Sequence, residues 1–279
     1  MTPDTISDRA KVNGIELQFE IGGEGPPLLL ISGLGQNMLA WAGVIGEFRK
    51  HHRTVVFDNR GTGRSSVPPG PYTMDAMADD VAGLIAHLGL VAPAVVGWSL
   101  GGSVLQSLLI RYEHSVGCAV LLNTLPAYTT VQKRWLDAQL ALRRSGAPAE
   151  ALMTMTLPWA LSPLILSDHD RTAALVDAMV RNPWPTSYAG YEAQGEGIRV
   201  YDSRAGLPKV SVPTLVLVGA EDILTPVAQS AEIASLIPAS DLVVLGRGGH
   251  SMVLDYPHEV LRTILPWIAR HTVMPPERP

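Results

Sequence analysis

The stretch Ala94-Val95-Val96-Gly97-Trp98-Ser99-Leu100-Gly101-Gly102-Ser103 decides how this chain reads. The apolar run over 94–98 has the form of a buried strand, and the small or apolar run over 101–112 that of a buried helix. Between them lies Gly-x-Ser-x-Gly. A sharp strand-to-helix turn there holds the Ser99 hydroxyl out at the carboxyl edge of a sheet, and Gly97, Gly101 and Gly102 remove the clashes that larger side chains would make. The helix start beneath it offers unpaired N–H groups and a partial positive charge. The alternative is an ordinary Gly-Ser loop capping a helix.

Outward from that turn, apolar runs over 27–31, 54–57, 119–122, 214–218 and 242–245 read as strands buried on both faces. Residues 12–21 form two extended pieces joined by Asn13-Gly14, a two-residue hairpin signal. Apolar residues at Met74, Met77, Ala78, Val81, Leu84, Ile85 and Leu88 follow helical spacing, and 227–237 and 258–268 are further helices. Alternating strands and helices imply a parallel sheet covered on both faces. The alternation breaks over 125–206, where helical patterns at 131–144, 149–156 and 171–180 carry no strand between them. That stretch holds Trp135, Trp159 and Trp184, three of six tryptophans, with Tyr128, Tyr188, Tyr191 and Tyr201. It reads as a helical cap, 125–206, inserted into a core made of 1–124 and 207–279.

The chain has 279 residues, 47% hydrophobic and 17% charged, which excludes a disordered chain. A net charge of -5 without a basic stripe argues against nucleic acid as a partner. The apolar runs are far shorter than the ~18 residues of a membrane span. One cysteine, Cys118, makes no internal disulfide and no multi-thiolate zinc site. Residues 1–11 lack the basic-then-apolar order of a leader, so a cytoplasmic location is expected. The Pro-rich stretch 274–279 is expected to fray.

A serine hydroxyl needs a base to become a nucleophile. Of eight histidines, His51, His52, His87 and His114 sit in or beside helical patterns and are expected to be solvated. His250 differs: it ends Gly246-Arg247-Gly248-Gly249-His250, directly after the last strand. A carboxylate must in turn orient the imidazole. Asp222, in Gly219-Ala220-Glu221-Asp222-Ile223-Leu224-Thr225-Pro226, follows a strand at the same edge; Glu221 is its competitor. Asp222 and Asp255 can also be read as loop or helix caps. Donors for a developing oxyanion are expected from the backbone N–H of Leu100 and of Leu34, the latter in Ser32-Gly33-Leu34-Gly35-Gln36-Asn37.

Together these motifs, with Asp58-Asn59-Arg60-Gly61-Thr62-Gly63-Arg64-Ser65, resemble the α/β-hydrolase superfamily. The flanks Pro68-Pro69-Gly70-Pro71-Tyr72-Thr73 and Val212-Pro213-Thr214-Leu215 are similar to the 3-oxoadipate enol-lactonase and small carboxylesterase branch. The resemblance implies an α/β fold with a mostly parallel central sheet, flanking helices and a helical cap. It implies Ser99, Asp222 and His250 as nucleophile, acid and base, Leu34 and Leu100 amides as the oxyanion hole, and neither metal nor organic cofactor. One departure is Ser32-Gly33 where many relatives carry His-Gly. The run 58–65 reads as a structural turn beside the site.

The expected partner is a small, largely apolar carboxylic ester or lactone. Trp98 and Met252 beside the catalytic groups, with Trp135, Trp159 and Trp184 in the cap, are candidate pocket walls; the alternative is that these aromatics pack the cap onto the sheet. Arg134, Arg143 and Arg144 are expected on solvated helix faces. The same fold can host non-hydrolytic or carbon–carbon-cleaving chemistry, such as a cofactor-free perhydrolase or a lyase, or a ligand-binding receptor with incidental turnover.

Overall fold

The computed structural model describes residues 5–272; the stretch 274–279 expected to fray lies outside them. Asn13 and Gly14 adopt φ of 47° and 75°, and the hairpin they close joins β1 (Ile6–Val12) to β2 (Ile15–Gly22). There follow β3 (Pro27–Ile31), β4 (Arg53–Phe57), β5 (Ala94–Trp98), β6 (Cys118–Leu122), β7 (Thr214–Gly219) and β8 (Ser240–Leu245). Their order in space is β1-β2-β4-β3-β5-β6-β7-β8. β1 to β2 and β2 to β4 pair antiparallel, and every other neighbour is parallel.

The chain steps from β3 outward to β4, then returns past β3 to β5. The strand order therefore reverses at β3 and β5, and such a reversal opens a crevice at the carboxyl ends of the strands. Register places that crevice: Ile31 pairs with Gly97, Trp98 with Leu122, and Leu122 with Leu217. The loops carrying Ser32, Ser99, Asn123 and Asp222 thus leave the sheet along one edge.

Strand side chains alternate between two apolar layers, as period-two geometry requires. Leu29, Ile31 and Val95 join α2 (Met74–His87) and α3 (Leu100–Arg111) on one face. Leu28, Leu30, Val56 and Val96 join the long C-terminal helix on the other. The remaining helices are α1 (Ile45–Phe48), α4 (Thr130–Arg144), α5 (Ala149–Ala160), α6 (Pro163–Leu166), α7 (His169–Val180), α8 (Tyr188–Arg199), α9 (Val227–Leu236), α10 (Met252–Asp255) and α11 (Pro257–His271), the last being that long helix.

Two expectations fail for reasons visible in the packing. β8 is not doubly buried: it is an edge strand with Leu242 and Val244 40% and 42% exposed, and its Asp241 accepts a hydrogen bond from Trp267 Nε1 at 2.8 Å. His52 is not solvated either. It is 5% exposed with Nδ1 3.3 Å from the Pro26 carbonyl, and burial pushes its pKa down.

The segment 125–206 holds α4 to α8, and its ends meet where Ala127 bridges Asp202 and Ser203 N–H donates to Pro126 O. α8 has no forerunner in the sequence patterns because Gly190, Gly195 and Gly197 lower its intrinsic helicity. Tertiary contact overrides that: a Cβ at Gly190 would collide with the Gly61 carbonyl, and one at Gly197 with that of Tyr72. The glycines let the helix lie directly on the 61–72 backbone.

Candidate active site

β5 ends in the turn that its glycines permit. A Cβ at Gly97 would run into the Gly101 carbonyl, and one at Gly101 into the Ile31 carbonyl. Ser99 sits at φ 58°, ψ -120°, a region costly for a side-chain-bearing residue. Its hydroxyl caps nothing in α3. It lies instead 2.8 Å from His250 Nε2.

His250 Nδ1 is 3.0 Å from Asp222 Oδ2. An ionised carboxylate only accepts, so Nδ1 carries the ring proton and Nε2 is left to accept the Ser99 O–H. His250 and Asp222 are 6% and 4% exposed. Six further polar contacts hold the two residues, one of them Thr225 Oγ1 at 3.1 Å from His250 Nδ1. Asp222 Oδ2 also accepts from Asn123 Nδ2 at 2.7 Å and Thr225 Oγ1 at 2.6 Å, and Oδ1 accepts from the N–H groups of Leu224 and Thr225. The His250 carbonyl accepts from Trp98 Nε1 at 3.0 Å. Burial alone pushes the Asp222 carboxyl up. The adjacent imidazole and the Asn123 and Thr225 donors outweigh it and bring the group below its usual range.

Nothing in the sequence patterns assigns a role to Asn123 or Thr225. Asn123 follows β6 with φ 45° and also donates to Gly249 O at 3.2 Å. A polar residue ending a strand as apolar as Cys118–Leu122 was the available signal. Glu221, the competing acid, points elsewhere: its Oε2 accepts the Gly248 N–H at 2.9 Å. Asp255 does not cap α11, since Tyr256 occupies that position. Its Oδ2 accepts from the N–H groups of Gly249 and Ser162 instead.

The loop 32–37 arches over Ser99. The Ser32 hydroxyl donates to the Asn37 carbonyl at 3.3 Å, Gln36 Oε1 accepts the Gly33 N–H at 3.1 Å, and Asn59 Nδ2 holds the Ser32 carbonyl at 3.1 Å. From the 125–206 segment, Gln194 Oε1 accepts the Gly35 N–H at 2.9 Å and Thr186 Oγ1 donates to the Gly35 carbonyl at 2.9 Å. Among the described residues the Leu34 and Leu100 N–H groups donate to no protein acceptor. Leu34 lines the cavity above Ser99, and Leu100 is buried at the first position of α3. Asp58, from the 58–65 run, accepts from the N–H groups of Met38 and Arg64 behind this loop, at 2.8 Å each, and burial pushes its carboxyl up.

The cavity over Ser99 has a volume of about 110 Å³. Trp98 lines it from below; Trp135, Leu136, Thr156 and Ile198 line it from α4, α5 and α8. Met252, Trp159 and Trp184 do not line it. Met252 is fully buried in the apolar layer that also holds Trp98 and Trp267. Trp184 lies under the Arg64 guanidinium, 4.0 Å from it, and its carbonyl accepts from Asn37 Nδ2. Trp159 is half-buried on α5, outside the cavity wall. Among the described residues no Lys, Arg, Asp or Glu side chain lines the space. Arg134 pairs with Asp137, Arg143 lies over the Tyr191 ring and Arg144 pairs with Glu192, all outside it.

A sheet that reverses beside a strained serine, with an imidazole and a buried carboxylate in line behind it, defines an α/β-hydrolase architecture. The profile of the alpha/beta hydrolase fold matches residues 26–257, and the chain belongs to that family. It is 28% identical over 242 residues to 3-oxoadipate enol-lactonase 2 of Acinetobacter baylyi, covering 86% of this chain and 88% of that one. It is 30% identical to the RutD protein of Pantoea ananatis, to which carbamate hydrolysis is ascribed, covering 90% and 91%. Among solved structures, the enol-lactonase from Burkholderia xenovorans superposes with a TM-score of 0.85 at 27% identity, covering 94% of this chain and 100% of that one.

Proposed function

We propose that this protein hydrolyses a neutral, compact carboxylic ester or lactone by a two-step acyl transfer at Ser99. The observation that carries this reading is the unbroken line Ser99 Oγ, His250 Nε2, His250 Nδ1, Asp222 Oδ2, with steps of 2.8 and 3.0 Å. Ser99 Oγ attacks the carbonyl carbon while His250 Nε2 takes the hydroxyl proton. Asp222 stabilises the imidazolium without itself being protonated. The free N–H groups of Leu34 and Leu100 receive the oxyanion. As the tetrahedral centre collapses, the C–O bond to the alcohol breaks and His250 gives that alkoxide its proton. Water then attacks the acyl-Ser99 ester, again losing a proton to His250, and the acid departs as Ser99 Oγ regains its hydrogen. Residues 125–206 act as the cap that closes the pocket.

This substrate class is supported by the walls of the cavity. Its volume is below the ~150 Å³ of an apolar cavity that holds benzene, so the enclosed part of the substrate is small. Among the described residues no Lys or Arg lines it, and a buried carboxylate without a partner loses several kcal/mol of solvation. A 3-oxoadipate enol-lactone keeps one free carboxylate, so the proposed substrate differs in charge from the one named for the Acinetobacter baylyi relative. With purified protein, p-nitrophenyl acetate and butyrate should turn over repeatedly. A p-nitrophenyl ester bearing a terminal carboxylate should be slower by about 100-fold or more in kcat/KM. Ser99→Ala should lower turnover by several orders of magnitude. Near-normal hydrolysis by Ser99→Ala, or a preference for the charged ester, would contradict the reading.

A further inference from the structure

His250 is flanked on both sides by contacts to one corner of the cap. The Ser251 N–H donates to the Ala160 carbonyl at 2.7 Å. On the other side, a Cβ at Gly249 would sit 2.7 Å from the Leu161 carbonyl carbon and 2.8 Å from Ser162 N, so loop and cap backbones are already in contact. Asp255 spans the two. Its single atom Oδ2 accepts the Gly249 N–H at 2.8 Å and the Ser162 N–H at 2.9 Å, at 3% residue exposure. Its other oxygen, Oδ1, has no hydrogen-bond partner among the described residues. From α7, Arg171 Nη2 donates to the carbonyls of Leu254 and Asp255 at 2.8 and 3.0 Å, closing the same seam.

We infer that Asp255 is a positioning residue: it locks the His250 loop onto the α5–α6 corner of the cap, so that the seating of the cap sets the place of the imidazole. This rests on the reading of His250 as the base that activates Ser99. Burying a carboxylate with one oxygen unpartnered is unfavourable, and burial pushes this carboxyl above its usual range. A helix end or a solvated loop imposes no such demand; two backbone N–H groups needing one shared acceptor at a fixed point do. The carbonyl oxygen of an asparagine can stand where Oδ2 stands, whereas an alanine leaves both N–H groups buried and unpaired. Acceptor geometry, rather than negative charge, is therefore what the seam requires.

The experiment compares Asp255→Ala, Asp255→Asn and Gly249→Ala with the native chain and Ser99→Ala, on p-nitrophenyl butyrate at 25 °C. Far-UV circular dichroism checks the fold. Displacing a catalytic group by about 1 Å is worth ~100-fold in rate, so Asp255→Ala should lose about that factor in kcat and in the rate of Ser99 labelling by a fluorophosphonate. Asp255→Asn should stay within about threefold of the native kcat. Gly249→Ala, which wedges loop from cap and leaves the carboxylate intact, should fall with Asp255→Ala; it also carries the test if Asp255→Ala fails to fold. Native kcat in a folded Asp255→Ala or Gly249→Ala overturns the inference, as does an Asp255→Asn as impaired as the alanine variant. If Ser99→Ala abolishes turnover in that case, the ester reading stands. Turnover that survives in Ser99→Ala overturns the reading and the inference with it.

Discussion

The sheet and the outer helices of the cap are built by different physics. Leu28, Leu29, Leu30 and Ile31 are all fully buried, in two apolar layers that burial alone assembles. In the cap, α7 has no buried residue and α5 has two. α4 and α8 add Leu136, Leu140, Tyr191 and Ile198 to one of those layers, and polar contacts of fixed geometry complete the seat: Gln194 between Gly35 N–H and the Arg60 carbonyl, and Asn37 on the Trp184 carbonyl. Burial is forgiving of detail, and directional bonds are not. On the proposed reading, the sheet governs whether the chain folds and the cap governs what fits above Ser99.

The largest test of that division is at the rim of the sheet, where chemistry and fold separate. Asp222→Asn should lower kcat by about 10⁴-fold, because the imidazole loses the partner that fixes its tautomer. Its stability effect carries a pH signature. The folded Asp222 pKa lies below the ordinary ~3.9, so its contribution is complete at neutral pH and is lost as pH falls through that lower value. The melting temperature of Asp222→Asn should lie below that of the native chain at pH 7 and converge with it below about pH 4. A gap that widens in acid would reverse the assigned sign.

Within the layers, Leu29→Ala should destabilise by about 2–5 kcal/mol in urea unfolding. Leu164→Ala, at a cap residue 56% exposed, should shift stability by less than ~0.5 kcal/mol. Equal effects would erase the contrast. The smallest change is one of selectivity. Trp135→Ala enlarges the cavity from the cap side and should raise kcat/KM for p-nitrophenyl octanoate relative to acetate by about tenfold, with little change in melting temperature. An unchanged chain-length profile would remove Trp135 from the wall that reads the substrate.

The same contrast explains what the sequence discloses. Doubly buried strands are continuous apolar runs, so Pro27–Ile31 and Ala94–Trp98 can be read to the residue. Only the edge strand β8, exposed on account of its position, departs from the pattern. Ser99, Asp222 and His250 are legible as motifs because each needs a particular turn at a strand end. Asn123 and Thr225 are not, because their part is a hydrogen bond to Asp222 that only the assembled edge creates. α8 is hidden by its own glycines, whose purpose is contact with a distant stretch of backbone. Trp159 and Trp184 share a composition with Trp135, and composition does not say that Arg64 reaches over to stack on one of them.

If His250 and Asp222 make one hydroxyl reactive, intact-mass and peptide mapping after exposure to a fluorophosphonate will read it out. One adduct per chain is expected, on Ser99, formed at least ~100-fold more slowly in His250→Ala. Modification at another residue, or undiminished labelling of Ser99 without the imidazole, would contradict it.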